Sequence, residues 1–323
     1  MSWPDNEIVR FWKIPNNVIE NTRADFCLTY FLKTISRNKI QIMIRRGYFK
    51  ISGSLLKSSQ CLKPGDIVEI TKPDLRSDYI KKIEEIKIPI IFENDNLLIL
   101  NKPPNLLIHP TAEYTYGTLT NWLKKKYPNQ NIKPCHRLDK ETTGILICAK
   151  NHDTEIKIRN DFFLAKIKKS YLALVTGCML NTISCVRSLR LQGKQGLVSI
   201  KMIEDSINGL KSETKFIPIK YYKEKNQTLI LCKPKTGRQH QIRAHLALEG
   251  HPVVGDKLYS MGELFFDLFT KEKLNLSSAV NCYHMLHAYE IEFWLNGKEY
   301  KFKAESSLIE DVKDNVFLNS VLL

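Results

Sequence analysis

The sequence predicts an α+β fold, in which a small α/β domain precedes a larger domain built on a mostly antiparallel, mixed sheet. Three observations lead to this prediction. Two short helical segments and two short strand segments occupy the chain before residue 70. A charged stretch that contains a proline follows them. From residue 88 onward, strand-like and helical segments are mixed without the strict alternation of strand and helix that a parallel sheet requires.

The elements of the small domain are predicted from periodicity and from end signals. Residues 23–35, RADFCLTYFLKTI, place their apolar side chains on one helical face. Ser36 can cap a second helix over residues 37–46, and Gly47 suits the end of that helix. The segments YFKISG and GDIVEI predict two short strands.

The domain boundaries follow from these patterns. We predict a small domain over residues 14–72, a linker over residues 73–87 and a second domain over residues 88–323. The linker is charged and contains Pro73, which is typical of a connecting segment.

Strands and helices of the second domain are predicted from apolar runs and turn residues. The predicted strands are IPIIFEN, NLLILNKP, GILICAK, KSYLALVTG and TLILCKP. The predicted helices are GTLTNWLKKKY, HDTEIKIRNDFF and residues 237–249, and Thr236 with Gln239 predicts a capping box for the last of them. Turns are expected at residues 94–96 and at residues 296–297, which are Asn-Gly.

The charge of the chain predicts a polyanionic partner. Lys and Arg number 49 against 34 Asp and Glu, a formal net charge of +15 for 323 residues. Nucleic acid and an anionic membrane surface both fit this balance. No apolar run reaches about 18 residues, so a membrane-spanning helix is not expected. The eight cysteines form no Cys-x-x-Cys pair, and the N-terminus has no apolar signal core, so we expect a reducing, cytoplasmic location.

Several kinds of chemistry lack their sequence signals. Neither G-x-x-x-x-G-K nor G-x-G-x-x-G occurs, so a bound nucleotide is not expected. His136 and Asp139 lie three residues apart, but Arg137 between them argues against a metal site. The Gly-x-Ser-x-Gly turn of serine hydrolases is also absent. We therefore expect neither a cofactor nor a metal.

One acid among cations remains as a candidate for catalysis. In HRLDKETTGILICAK, residues 136–150, Asp139 lies between Arg137 and Lys140. A neighbouring cation lowers the pKa of an aspartate, and an ionised carboxylate can act as a nucleophile. A polyanionic substrate would tolerate a single shielded acid better than a cluster. The residues alone favour the simpler interpretation, in which Asp139 caps a turn or forms a surface ion pair.

This stretch resembles the signature of the RluA-type family of RNA pseudouridine synthases, His-Arg-Leu-Asp followed by Thr-Ser-Gly and an apolar strand. Three further stretches resemble family motifs in the same order: IIFENDNLLILNKPPNLLIHPT (90–111), KKSYLALVTG (168–177) and TGRQHQIRAHLALEGHPVVGDKLY (236–259). The resemblance implies the pseudouridine synthase fold and the isomerisation of specific uridines in structured RNA to pseudouridine. Three positions depart from the family pattern without touching the residues that carry the chemistry: Thr143 for Ser, Asn105 for Gly and Gln239 for Thr.

Residues 23–70 also resemble the RNA-binding module named after small-subunit ribosomal protein S-four. This resemblance makes RNA the expected polyanion and makes Lys39, Arg45 and Arg46 candidate RNA contacts. The charge run alone favours a solvated helix face. Because the module occurs in branches of the family that modify large-subunit ribosomal RNA, that RNA is the expected substrate, with transfer RNA as the alternative.

The family resemblance also implies roles for four residues. Asp139 matches the catalytic aspartate, which either attacks the anomeric carbon of the ribose or removes a ribose proton to give a glycal. Arg243 matches the arginine that pairs with this aspartate, and a guanidinium can hold a carboxylate through two hydrogen bonds. Tyr171 matches the tyrosine that lies against the target base and could help to remove the proton from carbon 5. Arg137 matches the arginine that enters the RNA when the base is flipped out.

Each role has a simpler alternative. Arg243 could contact a phosphate, Tyr171 could be a core residue of a strand, and Arg137 could only support the charge of Asp139. A non-catalytic RNA-binding or ribosome-assembly factor with the same fold, and a general nucleic-acid coat, are the alternative functions. The presence of Asp139 together with Arg243 and Tyr171 favours the enzyme. A monomer without a membrane partner is expected.

Overall fold

The computed structural model describes residues 10–32, 35–45, 47–70, 87–110, 117–270 and 283–308. The chain divides into two compact units, of which the first extends to residue 85 and includes residues 109–118. The second unit begins at residue 86 and takes in the rest of the chain. Most of the predicted linker lies outside the described residues, so the domain boundaries stay a prediction. None of the helices described here is long and apolar enough to cross a bilayer.

The described part of the first unit contains a four-stranded antiparallel sheet and two helices. The strands described in this unit are β1 (Arg10–Lys13), β2 (Thr22–Arg23), β3 (Phe49–Ile51), β4 (Ser54–Leu55), β5 (Cys61–Leu62) and β6 (Ile67–Ile70). The sheet has the order β1-β6-β3-β4, and β2 pairs separately with β5. The helices are α1 (Ala24–Phe31) and α2 (Arg37–Arg45), which confirms both predicted helices. Strand β1, ahead of the helices, lies outside the predicted elements.

A buried carboxylate joins the two helices of the first unit. Asp25, in the first turn of α1, is fully buried and accepts hydrogen bonds from Arg23, Arg37 and Gln41. Burial alone would raise the pKa of Asp25, but these hydrogen bonds lower it to about 2. The carboxylate is therefore ionised at neutral pH and holds α1 against α2. Apolar residues of α2 complete this core, as predicted: Ile40, Met43 and Ile44.

The described part of the second unit is organised around one mixed sheet of eleven strands. They are β7 (Ile90–Glu93), β8 (Leu97–Lys102), β9 (Lys133–Pro134), β10 (Thr143–Ala149), β11 (Lys168–Thr176), β12 (Ile183–Leu191), β13 (Met202–Glu204), β14 (Leu210–Tyr222), β15 (Gln227–Pro234), β16 (Leu286–Leu295) and β17 (Lys298–Lys303). The order is β13-β12-β14-β15-β11-β16-β10-β8-β7, with β17 on β16 and β9 on β10. Among these pairs only β10 with β16 is parallel. The α+β class with a mostly antiparallel sheet is therefore confirmed.

The predicted strands of the second domain and the hairpin turn at residues 296–297, between β16 and β17, are present, but β9 and three consecutive strands are not predicted. β12, β13 and β14 follow one another between residues 183 and 222. These segments contain many polar residues, and β14 contains Pro218 next to an irregular register with β15. Proline within an apolar pattern argues against a central strand, which explains why the sequence signal is weak here.

Four described helices accompany the sheet: α3 (Leu119–Lys126), α4 (His152–Phe163), α5 (Gln241–Leu248) and α6 (Glu263–Thr270). α4 begins where the Asn151 side chain accepts a hydrogen bond from the backbone N–H of Thr154. The predicted capping box of Thr236 with Gln239 is wrong. α5 begins only at Gln241, because His240 has a left-handed backbone, and Gln239 instead donates to the carbonyl of Ile200.

A glycine permits the parallel pairing of β10 with β16. Gly144 has a φ of +104°, and a Cβ at this position would lie 2.2 Å from the carbonyl oxygen of Ala288. Only glycine allows so close an approach of the two backbones. Strand β10, into which residues 135–142 lead, thereby lies between β8 and β16.

Candidate active site

The predicted site residues of the second domain line one cleft of about 700 Å³. Four segments form most of its lining, and Leu286 of β16 completes it. The four segments are the loop before β10, the end of α4, strand β11 and the segment that leads from β15 into α5. Asp139, Tyr171, Arg243 and Arg137 all belong to the lining.

Asp139 and Arg243 form a direct ion pair. Arg243 Nη1 donates a hydrogen bond of 2.8 Å to Asp139 Oδ2, although 104 residues separate the two along the chain. The side chain of Asp139 is 18% exposed and that of Arg243 only 7%. The carboxylate therefore faces the cleft while the guanidinium lies behind it.

The second carboxylate of the site holds Arg243 more firmly than Asp139 does. Arg243 Nε and Nη2 donate to the two oxygens of Asp256, at 2.6 and 2.9 Å. Asp256 also accepts the backbone N–H groups of Leu258 and Tyr259. The expectation that the guanidinium grips Asp139 through two hydrogen bonds is therefore wrong. The two-bond contact is made with Asp256, and Asp139 accepts a single hydrogen bond, from Nη1.

The charge of Arg243 keeps Asp139 ionised. Burial alone would raise the pKa of Asp139, but His240, Arg243 and His284 together hold it well below its usual value. Burial lowers the pKa of His240 to about 4 and that of His284 to about 3, so both imidazoles are neutral at pH 7. Arg243 is thus the effective cation at neutral pH, rather than the sequence neighbour Arg137.

Buried contacts tether the loop that carries Asp139 directly after this residue. Lys102, fully buried at the end of β8, donates to the backbone carbonyls of Pro103, Leu106 and Lys140 at 2.8–3.0 Å. Burial lowers the pKa of Lys102 to about 7 while the charge of Asp139 raises it. Three acceptors match the three hydrogens of an ammonium group, so this geometry favours the charged lysine. The bond to Lys140 fixes the residue next to Asp139.

A second group of contacts holds the two residues that follow Lys140. Glu141 accepts two hydrogen bonds from Lys257 and one from the backbone N–H of His284. The neighbouring Thr142 hydroxyl lies 2.8 Å from His284 Nε2. The backbone is therefore anchored at residues 140–142, directly after Asp139, and His136, which accepts the backbone N–H of Ile147, holds the segment before it.

His240 closes the site beside Asp139. Its backbone has a φ of +50°, which is uncommon for a residue other than glycine. Its Nε2 atom lies 3.8 Å from Asp139 Oδ2, and its Nδ1 atom lies 3.2 Å from the hydroxyl of Tyr259. The strained backbone is therefore what aims the ring at the carboxylate.

Tyr171 lines the same cleft from β11. The register between β11 and β16 shifts between Ser170 and Tyr171, which changes the direction of the side chain at this point. Burial, together with the nearby charge of Asp139, raises the pKa of Tyr171. The phenol is therefore protonated at neutral pH, and within the described parts of the chain no group hydrogen-bonds its hydroxyl.

Three cations in the cleft lining have no acidic partner among the described residues: Arg137, Lys169 and Arg238. Arg137 and Arg238 are exposed, and Lys169 is partly buried. Every other strongly basic group of the immediate site is paired or hydrogen-bonded, as Arg243 and Lys102 are. The mouth of the cleft therefore attracts an anion.

Family comparison agrees with this geometry. A model of the family described as RNA pseudouridylate synthase matches residues 96–248. An uncharacterized RNA pseudouridine synthase of Helicobacter pylori is 30% identical over 289 residues, which are 86% of this chain and 84% of that protein. The ribosomal large subunit pseudouridine synthase C of Buchnera aphidicola subsp. Acyrthosiphon pisum is 30% identical over 95% of this chain and 96% of its own.

The chain belongs to the RluA-type family of RNA pseudouridine synthases. It is accordingly an isomerase that acts on RNA uridines. Among solved structures, Human RNA Pseudouridylate Synthase Domain Containing 1 is similar with a TM-score of 0.55 and 24% identity. That similarity covers 68% of this chain and 84% of the human one, and it shows a shared fold.

The candidate RNA contacts of the first unit are only partly described by the structure. Arg45 is exposed in the last turn of α2, and Lys39 lies on the same helix. Arg46 lies outside the described residues. The resemblance of this unit to a ribosomal-protein module, and the RNA contacts that it implies, stay predictions.

Three residues of the enzyme's site were missed by the sequence analysis: Asp256, His240 and Lys102. All three occur in stretches that resemble family motifs, Gly-Asp, Arg-Gln-His and Asn-Lys-Pro. These stretches carried a sequence signal, but contacts such as those of Lys102 with Lys140 and of His240 with Asp139 join distant segments and cannot be inferred from spacing. His136 accepts the backbone N–H of Ile147 and has a structural part in the same loop.

Replacing Asp256 by Asn should lower kcat for pseudouridine formation by about 10- to 100-fold, with KM within a few fold. The change leaves Arg243 without its two-bond partner, so the guanidinium loses its fixed direction towards Asp139. Breaking a buried pair also costs about 3–5 kcal/mol of stability, which thermal unfolding measures.

Asp205→Asn is the matched control for this change. Asp205 also pairs with an arginine, Arg190, and accepts two backbone N–H groups, but it does not line the cleft. It should leave kcat unchanged. An equal loss of kcat in both variants, or no loss in Asp256→Asn, would contradict the positioning role.

Proposed function

We propose that the enzyme converts specific uridines of large-subunit ribosomal RNA to pseudouridine, with Asp139 as the catalytic aspartate. One observation carries the proposal. A carboxylate held ionised by Arg243 faces a cleft whose mouth is lined by unpaired cations. A target uridine can then reach the carboxylate while its phosphates meet the cations.

The proposed reaction is an isomerisation. The bond between uracil N1 and ribose C1′ breaks, and a bond forms between uracil C5 and C1′. The proton leaves C5 and N1 gains a proton, so no oxidant or reductant is needed. Asp139 either attacks C1′ as a nucleophile or removes a ribose proton to give a glycal, and both routes require the ionised form.

The remaining residues of the cleft receive roles by the same reasoning. Arg243 orients Asp139, and Tyr171 offers an aromatic face to the uracil ring. Because its pKa is raised, the phenol acts at neutral pH as a neutral group and not as a phenolate. Exposed Arg137 is free to enter the RNA and to occupy the space that the flipped uridine leaves.

The choice of ribosomal RNA rests on the relatives. The Buchnera relative is named a ribosomal large subunit pseudouridine synthase C, and a relative from Nitrosomonas europaea is named a synthase D of the same kind. We therefore propose large-subunit ribosomal RNA over transfer RNA, a monomeric enzyme and action in the cytoplasm, where ribosomes are assembled. Lys39, Arg45 and Arg46 are proposed to bind RNA phosphates through the first unit.

The proposal is tested with large-subunit ribosomal RNA transcribed with uridine tritiated at carbon 5. Wild-type protein should release tritium, because forming the bond from C5 to C1′ expels the C5 hydrogen. Asp139→Asn should abolish release while RNA affinity stays within a few fold. Asp153→Asn, the same change at an exposed position, is the control.

Two outcomes count against this proposal. Turnover by Asp139→Asn would reject the catalytic role of Asp139. Release from transfer RNA alone would reject ribosomal RNA as the substrate while leaving the chemistry intact.

Replacing Arg45 and Arg46 together by Gln should weaken RNA binding for every RNA sequence. Each lost phosphate contact should reduce the slope of log affinity against log salt by about 0.7–0.9, because fewer counterions are released. Filter binding across a salt series measures this slope.

The control for charge is the double variant Lys223→Gln, Lys225→Gln, which removes two exposed cations that do not line the cleft. If both double variants show the wild-type slope, the first unit does not bind RNA through these arginines.

A further inference from the structure

The end of helix α4 presents an unusual pair of aromatic residues. Phe162 turns inwards, where its ring lies 4.5 Å from the His136 ring and 5.7 Å from the Lys169 ammonium group. Phe163 points the other way, and 88% of it is exposed. A single exposed apolar residue is ordinary in a folded protein and by itself indicates nothing.

The position of Phe163 in the cleft distinguishes it from other exposed apolar residues. It lines the same cleft as Asp139 and Tyr171. The helix end beneath it is well defined, because Leu164 N–H donates to the Asn160 carbonyl and Lys166 N–H donates to the Asp161 carbonyl. The exposed ring therefore has a fixed backbone position at the mouth of the cleft, where a bound substrate passes.

The charges around this ring indicate which kind of molecule binds against it. Arg137 and Lys169 line the cleft with Phe163 and have no acidic partner among the described residues. Arg238 contributes a third such cation on the segment before α5. An aromatic face among unpaired cations suits a nucleic-acid strand, whose bases stack and whose phosphates are anionic. An apolar segment of a protein would gain nothing from these cations.

We propose that Phe163 is a stacking platform for a base next to the target uridine in the substrate RNA. This inference rests on the proposed function. When the target uridine leaves its stack to reach Asp139, its neighbour loses a stacking partner, and an aromatic ring at the cleft mouth replaces it. Phe163 then contributes to substrate binding and positioning, while Asp139 carries the chemistry.

The test compares three variants of Phe163 on the tritiated ribosomal RNA transcript. Phe163→Ala should raise KM by roughly 5- to 150-fold, the range measured for loss of base stacking, with kcat within about two-fold of wild type. Phe163→Trp keeps a flat aromatic face and should retain the wild-type KM or lower it. Phe163→Leu keeps an apolar side chain without a flat face and should resemble Phe163→Ala.

Ile156→Ala is the matched control, because Ile156 is 46% exposed on the same helix, seven residues earlier, and does not line the cleft. It should leave KM unchanged, and thermal unfolding should show that all four variants are folded. A wild-type KM in Phe163→Ala, or equal values for Phe163→Leu and Phe163→Trp, would overturn the platform. Failure of the proposed function is seen separately, since wild-type protein would then release no tritium.

Discussion

The site depends on one ion pair between two distant parts of the chain. Arg243 reaches Asp139 through a single hydrogen bond of 2.8 Å. Burial alone would raise the pKa of Asp139, and this cation opposes that rise. A neutral carboxyl group is neither a nucleophile nor a base. Arg243 can perform this task because Asp256 holds its other nitrogens and the Tyr259 ring lies 5.2 Å from its guanidinium carbon. One arginine therefore joins a structural acid to a candidate catalytic acid.

The fold supplies the rigidity that this arrangement requires. Asp139 lies on a loop, yet the loop leads directly into the central strand β10, and Gly144 allows β16 to lie against that strand. Lys102 and the pair of Glu141 with Lys257 secure the backbone directly after the carboxylate, and His136 secures the segment before it. The site thus has loop residues at its surface and buried polar contacts beneath them, and these contacts resist displacement of Asp139.

Much of this could be predicted from the sequence, and the failures have physical causes. Local periodicity predicted α1, α2 and α4, and the ordered motifs brought Asp139, Arg243 and Tyr171 together. The two-bond contact of Arg243 with Asp256 was not predicted, because hydrogen-bond geometry depends on the folded backbone. The start of α5 was misplaced, since nothing in the sequence indicates that His240 is left-handed. Periodicity likewise cannot tell which of Phe162 and Phe163 faces the cleft mouth.

The most direct test of the central claim is the pH dependence of single-turnover rates for wild-type protein and for Arg243→Gln. The wild-type rate should be constant from about pH 7 to pH 5, because Asp139 stays ionised across this range. In Arg243→Gln, burial without the cation raises the pKa of Asp139, so the residual rate should fall as pH falls and recover as pH rises. An acidic loss of rate in wild-type protein, or the same pH profile for both proteins, would contradict the account.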